Sequence, residues 1–163
     1  EPLGFSLGCV SVKSFFFRFK IMICGIGIDI SQIDRFKSFD KFSKERLLEV
    51  FSKDEIEELA RKKTDNSSDF IYQFYASRFA AKEAFYKALS NALVSLKVTD
   101  STFSFKFARQ HVQVIRTSWD IPALEVQWDK FEEKIGKKLP DLKTHLSLSH
   151  EKIHSVAVVI VEV

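Results

Sequence analysis

Cysteine and glycine are scarce in this sequence, and long apolar runs are missing. The two cysteines, Cys9 and Cys24, lack CxxC spacing and are too few for a disulfide framework, so we expect a reducing compartment. Four of the five glycines precede residue 28, which excludes a GxGxxG loop or a Walker-type phosphate loop. No apolar stretch approaches the roughly 20 residues of a membrane span. We therefore expect neither membrane insertion nor a glycine-rich nucleotide loop.

Charge of one sign is not concentrated enough to suggest nucleic-acid binding. The 163 residues carry 25 Lys and Arg against 22 Asp and Glu, a formal net charge of +3, and no block of five or six like charges occurs. Hydrophobic residues make up 45% of the chain, and 17 of them are phenylalanines. This balance is typical of one globular domain and not of a disordered chain.

Residues 1–21 differ from the rest of the chain. No acidic residue occurs between positions 2 and 28, and Arg18 interrupts a run of phenylalanines at 15–19. Met22 is the only methionine. We expect residues 1–21 to be a non-functional or upstream-derived extension, with an organellar transit peptide as the alternative. Residues 22–163 then form the domain, located in the cytoplasm, or in an organelle if the extension is a targeting peptide.

The hydrophobic pattern predicts an α+β fold, with one long central helix and shorter helices packed on an antiparallel sheet. A β-branched run at 21–30 predicts a buried strand ending near Asp29, and residues 144–149 and 155–163 predict a terminal hairpin. The long helix is predicted over 70–89, with Glu83 and Lys87 opposite its core stripe.

Shorter elements are predicted between these. Ser31 is expected to cap a helix containing Ile33 and Phe36, and further helices are predicted at 45–51 and from the capping-box pattern at 52–55. A polar loop is predicted at 64–69, and a strand of alternating phenylalanines at 102–107. Two strands around a turn are predicted at 111–116 and 123–128, followed by a short helix at 129–139.

Taken singly, the polar residues of interest have ordinary structural explanations beside functional ones. A buried Asp29 is costly unless it is paired, hydrogen-bonded or bound to a metal. Glu83 and Lys87 have the i, i+4 spacing of a surface ion pair, and His150 at a strand end is structural or catalytic. Two alanines near Glu83, at positions 76 and 80, suggest a helix face open to close approach.

A basic cluster lies at residues 35–46. Its five basic residues interleave with phenylalanines, which fits either a solvated helix face or a docking surface for an acidic partner. The cluster comprises Arg35, Lys37, Lys41, Lys44 and Arg46, with Phe36, Phe39 and Phe42 between them.

Three segments, in order along the chain, resemble motifs of one family, the holo-acyl-carrier-protein synthases. Residues 22–30, Met-Ile-Cys-Gly-Ile-Gly-Ile-Asp-Ile, resemble the amino-terminal motif of that family. Residues 78–88, Arg-Phe-Ala-Ala-Lys-Glu-Ala-Phe-Tyr-Lys-Ala, resemble its signature helix, and residues 145–150, His-Leu-Ser-Leu-Ser-His, resemble its closing strand. The resemblance covers residues 22–163. It departs at 90–92, where the family often has a Gly-rich turn, and at 119–122, where it has an Asn-Gly turn.

The resemblance implies a 4'-phosphopantetheinyl transferase. Such enzymes move the phosphopantetheine arm of coenzyme A to a serine of apo acyl carrier protein, in support of fatty acid biosynthesis, and release adenosine 3',5'-bisphosphate. It implies Asp29 and Glu83 as Mg²⁺ ligands and Glu83 and Lys87 as catalytic residues. Lys87, Arg78 and His150 would contact coenzyme A. The serine proton would pass to Glu83 or to a water on the metal, and the residues leave both open.

The resemblance also implies protein partners. Four residues of the basic cluster would meet the acidic helix of the carrier protein, namely Arg35, Phe39, Lys41 and Lys44. A homotrimer with active sites between subunits is expected. Two other functions use the same charged residues: a non-catalytic module that binds coenzyme A or an acidic protein, and a Mg²⁺-dependent phosphohydrolase acting on coenzyme A alone. Retention of both carboxylates and the lysine favours an enzyme over the module.

Overall fold

The structure is a computed structural model that describes residues 22–63 and 67–163. The predicted extension at 1–21 and the first half of the predicted loop at 64–69 lie outside the described residues. The strands are β1 (Ile23–Gln32), β2 (Val112–Arg116), β3 (Pro122–Val126), β4 (Lys143–His150) and β5 (His154–Glu162). The helices are a 3₁₀ helix (Ile33–Lys41), α1 (Lys44–Leu48), α2 (Lys53–Lys63), α3 (Ser68–Ser95), α4 (Phe105–Gln110) and α5 (Trp128–Ile135).

An antiparallel sheet of order β1-β5-β4 supports the long helix α3, and β2 and β3 form a separate hairpin. Ala157, Val159 and Val161 of β5 are fully buried in the same core as the alanines of α3. The α+β prediction and the terminal hairpin are therefore confirmed. Among the described ranges, no helix is both long and apolar enough to cross a membrane.

Glycines let β1 approach α3 unusually closely. A Cβ atom added to Gly25 would lie 2.1 Å from the carbonyl oxygen of Ala88, and one added to Gly27 would lie 2.0 Å from that of Ala84. Since no side chain fits at those distances, glycine is required at both positions. We call this contact the glycine–alanine seam. It sets the end of β1, with Asp29, against the middle of α3.

Helix α3 is longer and more deeply buried than predicted. The prediction covers 70–89, whereas the helix runs over Ser68–Ser95 and continues without a turn through residues 90–92. Ala76 and Ala80 are fully buried, so the prediction that they leave the helix face near Glu83 open is wrong. Ala76 belongs to a second core cluster, formed with the 3₁₀ helix and α2, which covers the first half of α3.

Residues 102–107 do not form the predicted strand. Helix α4 begins at Phe105, and the Ser104 hydroxyl accepts a hydrogen bond from the backbone N–H of Phe107 at 3.1 Å. Phe103 and Phe107 both pack on Phe131, with ring centroids 5.3 and 5.4 Å apart. The alternation of phenylalanines therefore reflects a shared aromatic partner and a helix cap, and not a half-buried strand.

The segment after β1 is a 3₁₀ helix, and Ser31 does not cap it. Ile33, Phe36 and Phe39 recur every three residues, which aligns them on one edge of a helix with three residues per turn. The N-cap residue is Gln32, and the Ser31 hydroxyl donates instead to the Asp29 carboxylate.

Candidate active site

Lys87 joins the end of β1 to the middle of α3. Its Nζ lies 2.9 Å from Asp29 Oδ1 and 3.4 Å from Glu83 Oε1, and it donates to the carbonyl oxygen of Ile28 at 3.1 Å. The glycine–alanine seam makes this meeting possible because it brings the two backbones together. The structure thus places Lys87 in contact with both other predicted residues, and we call the three the carboxylate–lysine site.

The side chains of this site are held but remain accessible. Asp29 is 10% exposed, and its Oδ2 accepts a hydrogen bond from Ser31 Oγ at 2.9 Å. Glu83 and Lys87 are 31% and 44% exposed. Burial alone lowers the pKa of Lys87, but the hydrogen bond and charge of Asp29, with those of Glu83, raise that pKa above its ordinary value. Lys87 is therefore a stable cation at neutral pH.

The two carboxylates suit a Mg²⁺ ion that is shared with a substrate. Mg²⁺ is commonly held by one or two carboxylates, with water and substrate phosphates filling its other positions. Within 22–63 and 67–163, no three His, Cys, Asp or Glu residues are arranged to hold a metal. Two carboxylates, Asp29 and Glu83, fit an open site that water and substrate phosphates would complete.

Arg78 and His150 line a different pocket, of about 300 Å³. Arg78 and Glu83 are five residues apart on α3, which places them about 140° apart around the helix axis. Leu148, in the same pocket, is separated from Asp29 by the whole width of β5. We call this the arginine pocket. Within one protomer it lies on the opposite flank of α3 from the carboxylate–lysine site, so the structure does not bring all predicted site residues together.

A buried cation dominates the arginine pocket. Arg78 is 3% exposed, its Nη2 lies 3.0 and 3.2 Å from the two carboxylate oxygens of Glu58, and its guanidinium covers the ring of Phe74 at 3.6 Å. Burial lowers the pKa of Arg78, and Glu58 opposes that effect. Its Nε is buried without a hydrogen-bond partner in the described part of the chain. Lys62 and Arg116 add positive charge to the same walls.

The lysine of the signature helix, Lys82, lies in neither site. It is fully buried, its Nζ is 2.8 Å from Glu55 Oε2, and it donates to the carbonyl oxygen of Arg109 at 3.1 Å. The other oxygen of Glu55 accepts from the backbone N–H of Val114 at 2.9 Å. The sequence signal for Glu55 was the capping box, which the structure confirms through reciprocal hydrogen bonds with Ser52. Neither this pair nor Glu58 was predicted to have partners in the core.

The predicted docking residues are mostly exposed. Arg35, Lys41 and Lys44 lie at the surface of the 3₁₀ helix and the start of α1. Phe39 is only partly exposed, so it does not form a free aromatic anchor. Its ring has four aromatic neighbours with centroids within 6.1 Å: Phe36, Phe42, Phe51 and Tyr75.

Known proteins share this chain's sequence and architecture. A model of the 4'-phosphopantetheinyl transferase superfamily matches residues 25–152. A holo-[acyl-carrier-protein] synthase of Clostridium tetani is 34% identical over 142 residues, covering 86% of this chain and 97% of that protein. Its counterpart in Treponema denticola is 36% identical over 143 residues, covering 86% and 99%.

A solved structure of a holo-(acyl-carrier-protein) synthase has a similar fold. The crystal structure of a holo-(acyl-carrier-protein) synthase from Bacillus anthracis, in complex with CoA (3',5'-ADP), is 27% identical with a TM-score of 0.60. The alignment covers 86% of this chain and 97% of that one. The family match spans Asp29, Glu83, Lys87 and His150, so it contains both the carboxylate–lysine site and much of the arginine pocket. The chain belongs to the 4'-phosphopantetheinyl transferase superfamily.

Proposed function

We propose that this chain is a holo-acyl-carrier-protein synthase. It transfers the 4'-phosphopantetheine arm of coenzyme A to a serine of apo acyl carrier protein and releases adenosine 3',5'-bisphosphate. The observation that carries the proposal is the contact of Lys87 with both Asp29 and Glu83, in a chain that matches the family over most of its length. The carrier protein serves fatty acid biosynthesis, and the enzyme works in the cytoplasm.

Asp29 and Glu83 are the proposed Mg²⁺ ligands. They would hold the ion beside the pyrophosphate of coenzyme A, where it would supply positive charge to offset that of the phosphates. Ser31 holds the Asp29 carboxylate through its hydrogen bond to Oδ2, and the seam holds the backbone of β1 close to that of α3. The chain therefore supplies a preorganised pair of oxygen ligands at the place where phosphate charge must be accommodated.

Lys87 acts on the leaving group. The serine oxygen forms a bond to the phosphorus that carries the pantetheine arm, and the bond from that phosphorus to the bridging oxygen breaks. The bridging oxygen leaves with adenosine 3',5'-bisphosphate. The raised pKa of Lys87 keeps its ammonium group charged, which favours stabilising the negative charge on that oxygen over protonating it. The serine proton passes to Glu83 or to water in the site.

Coenzyme A must also reach the arginine pocket, where Arg78 and His150 would bind its nucleotide end. Because this pocket and the carboxylate–lysine site lie on opposite flanks of α3, we assign the two to different subunits of one composite site. A homotrimer with head-to-tail contacts supplies three such composite sites. Each subunit then gives Asp29, Glu83 and Lys87 to one site and Arg78 and His150 to the next.

The outer face of the sheet supports assembly. Three isoleucines of β1 are each more than half exposed, and they pair in register with three aliphatic residues of β5. Adjacent exposed apolar side chains on one sheet face are typical of a surface that contacts another chain. The residues are Ile26, Ile28 and Ile30, with Ile160, Val158 and Val156 as their respective partners.

The basic cluster is the proposed docking surface for the carrier protein. Arg35, Lys41 and Lys44 are exposed and would attract an acidic helix. Because Phe39 is partly buried, these three cations attract the carrier protein, and the Phe39 ring contacts it only at the edge of the docking surface.

The test uses the full chain with apo acyl carrier protein, coenzyme A and Mg²⁺. We expect the carrier protein to gain the mass of the phosphopantetheine arm, and Glu83→Gln to lose this activity. Glu133→Gln, a change to an exposed glutamate on α5, is the matched control. Release of adenosine 3',5'-bisphosphate without a carrier protein would instead identify a phosphohydrolase. Metal-independent binding of coenzyme A without any turnover would identify a non-catalytic module.

A further inference from the structure

Ser155 is a serine of β5 whose hydroxyl is buried and unpaired. The residue is fully buried, and its Oγ has no hydrogen-bond partner among the residues that the structure describes. Buried hydroxyls are nearly always paired, because a polar group that leaves water without a new partner costs stability. An unpaired one calls for an explanation, and the neighbours of Ser155 in the sheet supply it.

The strand register places Ser155 between two polar side chains. In the sheet order β1-β5-β4, it lies directly opposite Ser31 on β1 and His150 on β4. Side chains of directly paired residues share a face of the sheet, with Cβ atoms about 4.5–5.5 Å apart. Ser31 is buried like Ser155, whereas His150 is exposed and lines the arginine pocket. The buried neighbour of Ser155 is therefore Ser31.

Ser31 already takes part in the carboxylate–lysine site. Its Oγ donates its only proton to Asp29 Oδ2 at 2.9 Å, while Lys87 holds the other oxygen of that carboxylate. A hydroxyl that has given its proton can still accept, because its oxygen retains free lone pairs. Ser155, on the adjacent strand, has a proton and no acceptor. The two serines are complementary, since one can accept the hydrogen bond that the other can donate.

We propose that Ser155 is a positioning residue of the transferase, which donates a hydrogen bond to Ser31 Oγ and thereby supports the Asp29 carboxylate. This rests on the proposed function, since it takes Asp29 as a Mg²⁺ ligand. A rotamer change at Ser155 would bring its hydroxyl toward Ser31, because the Cβ spacing of a strand pair leaves room for an O–H···O bond. In a chain of hydrogen bonds each bond polarises the next, so this bond strengthens the one from Ser31 to Asp29.

The test measures metal binding and not turnover. Mn²⁺, used in place of Mg²⁺, is titrated into the full chain with coenzyme A and without a carrier protein, and its EPR signal counts the free ion. We expect Ser31→Ala to weaken Mn²⁺ binding about tenfold and Ser155→Ala, one contact further from the ion, about threefold. The double variant should lose about tenfold and not about thirtyfold, because Ser155 acts only through Ser31.

Two further variants separate positioning from general damage. The Ser101 hydroxyl donates to the carbonyl oxygen of Ile135 at 2.8 Å and belongs to neither site, so Ser101→Ala should lower the Tm and leave Mn²⁺ binding unchanged. Without ligands, Ser155→Ala should instead raise the Tm by roughly 2–4 °C, because it removes an unpaired buried hydroxyl. Ser155→Cys keeps a weak donor at a similar size and should bind Mn²⁺ more tightly than Ser155→Ala.

The outcomes also separate this inference from the proposed function. Unchanged Mn²⁺ binding in Ser155→Ala, or a loss that persists in full in the Ser31→Ala background, would overturn the positioning role. A loss that disappears instead in a His150→Ala background would assign the hydroxyl of Ser155 to the histidine and would equally overturn it. If the wild-type chain shows the expected Mn²⁺ binding but modifies no carrier protein, the transferase fails while the link between the two serines stands.

Discussion

Lys87 Nζ lies 2.9 Å from Asp29 Oδ1, although 58 residues separate the two in sequence. Burial lowers the pKa of Lys87, and the contacts with Asp29 and Glu83 raise it by more. A raised pKa means that the folded state holds this proton more tightly than the unfolded state does. The resulting stability is complete below the ordinary lysine pKa of about 10.4 and is lost as the pH rises through the higher folded value.

Asp29→Asn should therefore lower the pKa of Lys87, because it removes the largest of the contacts that raise it. The measurement is an NMR pH titration of the lysine side chains in both proteins. Lys37, whose pKa is raised by its hydrogen bond and ion pair with Asp34, is an internal control and should titrate unchanged. An unchanged titration of Lys87 would show that Asp29 does not hold it in solution.

Gly27→Ala should prevent normal folding. The added Cβ would lie 2.0 Å from the backbone oxygen of Ala84, so β1 and α3 would have to separate. We expect a loss of more than about 3 kcal/mol in the free energy of unfolding, beyond the usual range for overpacking. The control is Gly136→Ala, where φ is 72° but space is free, and where about 1–2 kcal/mol is expected. Urea denaturation compares the two, and equal losses would contradict the seam.

Two inactive variants should complement each other if the site lies between subunits. Glu83→Gln disables the carboxylate–lysine site, and Arg78→Ala disables the arginine pocket on the opposite flank. Co-expressed with different tags, they should form mixed trimers with about a third of the wild-type activity, since about one interface in three of a head-to-tail ring containing both variants unites two intact halves. Mixed assemblies without activity would place both halves in one subunit.

Lys82→Met should destabilise the protein by about 3–5 kcal/mol, because it leaves Glu55 charged and unpaired in the core. Thermal or urea unfolding measures the loss. Adding Glu55→Gln should recover part of it by removing the unpaired charge while keeping an acceptor for Val114. If the double variant loses the sum of the two single losses, the two side chains are not coupled.

Much of this fold and site follows from local patterns. The apolar run before Asp29, the core stripe of α3 and the terminal hairpin are regular enough to predict their elements, and the motifs point to Asp29, Glu83 and Lys87. Alternating phenylalanines predicted a strand where Ser104 caps a helix, because spacing alone does not show which partner each ring meets. The burial of Lys82 depends on Glu55, 27 residues earlier, and no local pattern records such a pairing.

Arg35→Glu should raise KM for the carrier protein more than KM for coenzyme A. Arg35 is exposed in the basic cluster, and reversing its charge would repel an acidic helix. Lys137→Glu, an equal change in charge beyond the end of α5, is the control and should have little effect. Added salt should weaken carrier binding by the wild-type enzyme, because exposed charges are screened over about 8–10 Å. Equal effects on both substrates would exclude docking at this surface.

Lys82 and Glu83 are adjacent on the signature helix but have different roles. Lys82 faces the interior and ties α3 to the start of α2 and to β2, while Glu83 faces solvent beside Lys87. A relative that keeps the lysine but has lost the glutamate would retain the scaffold and not the proposed chemistry. The identity of the residue at position 83, read together with that at position 29, is therefore a better guide to activity among such chains than the overall match to the signature.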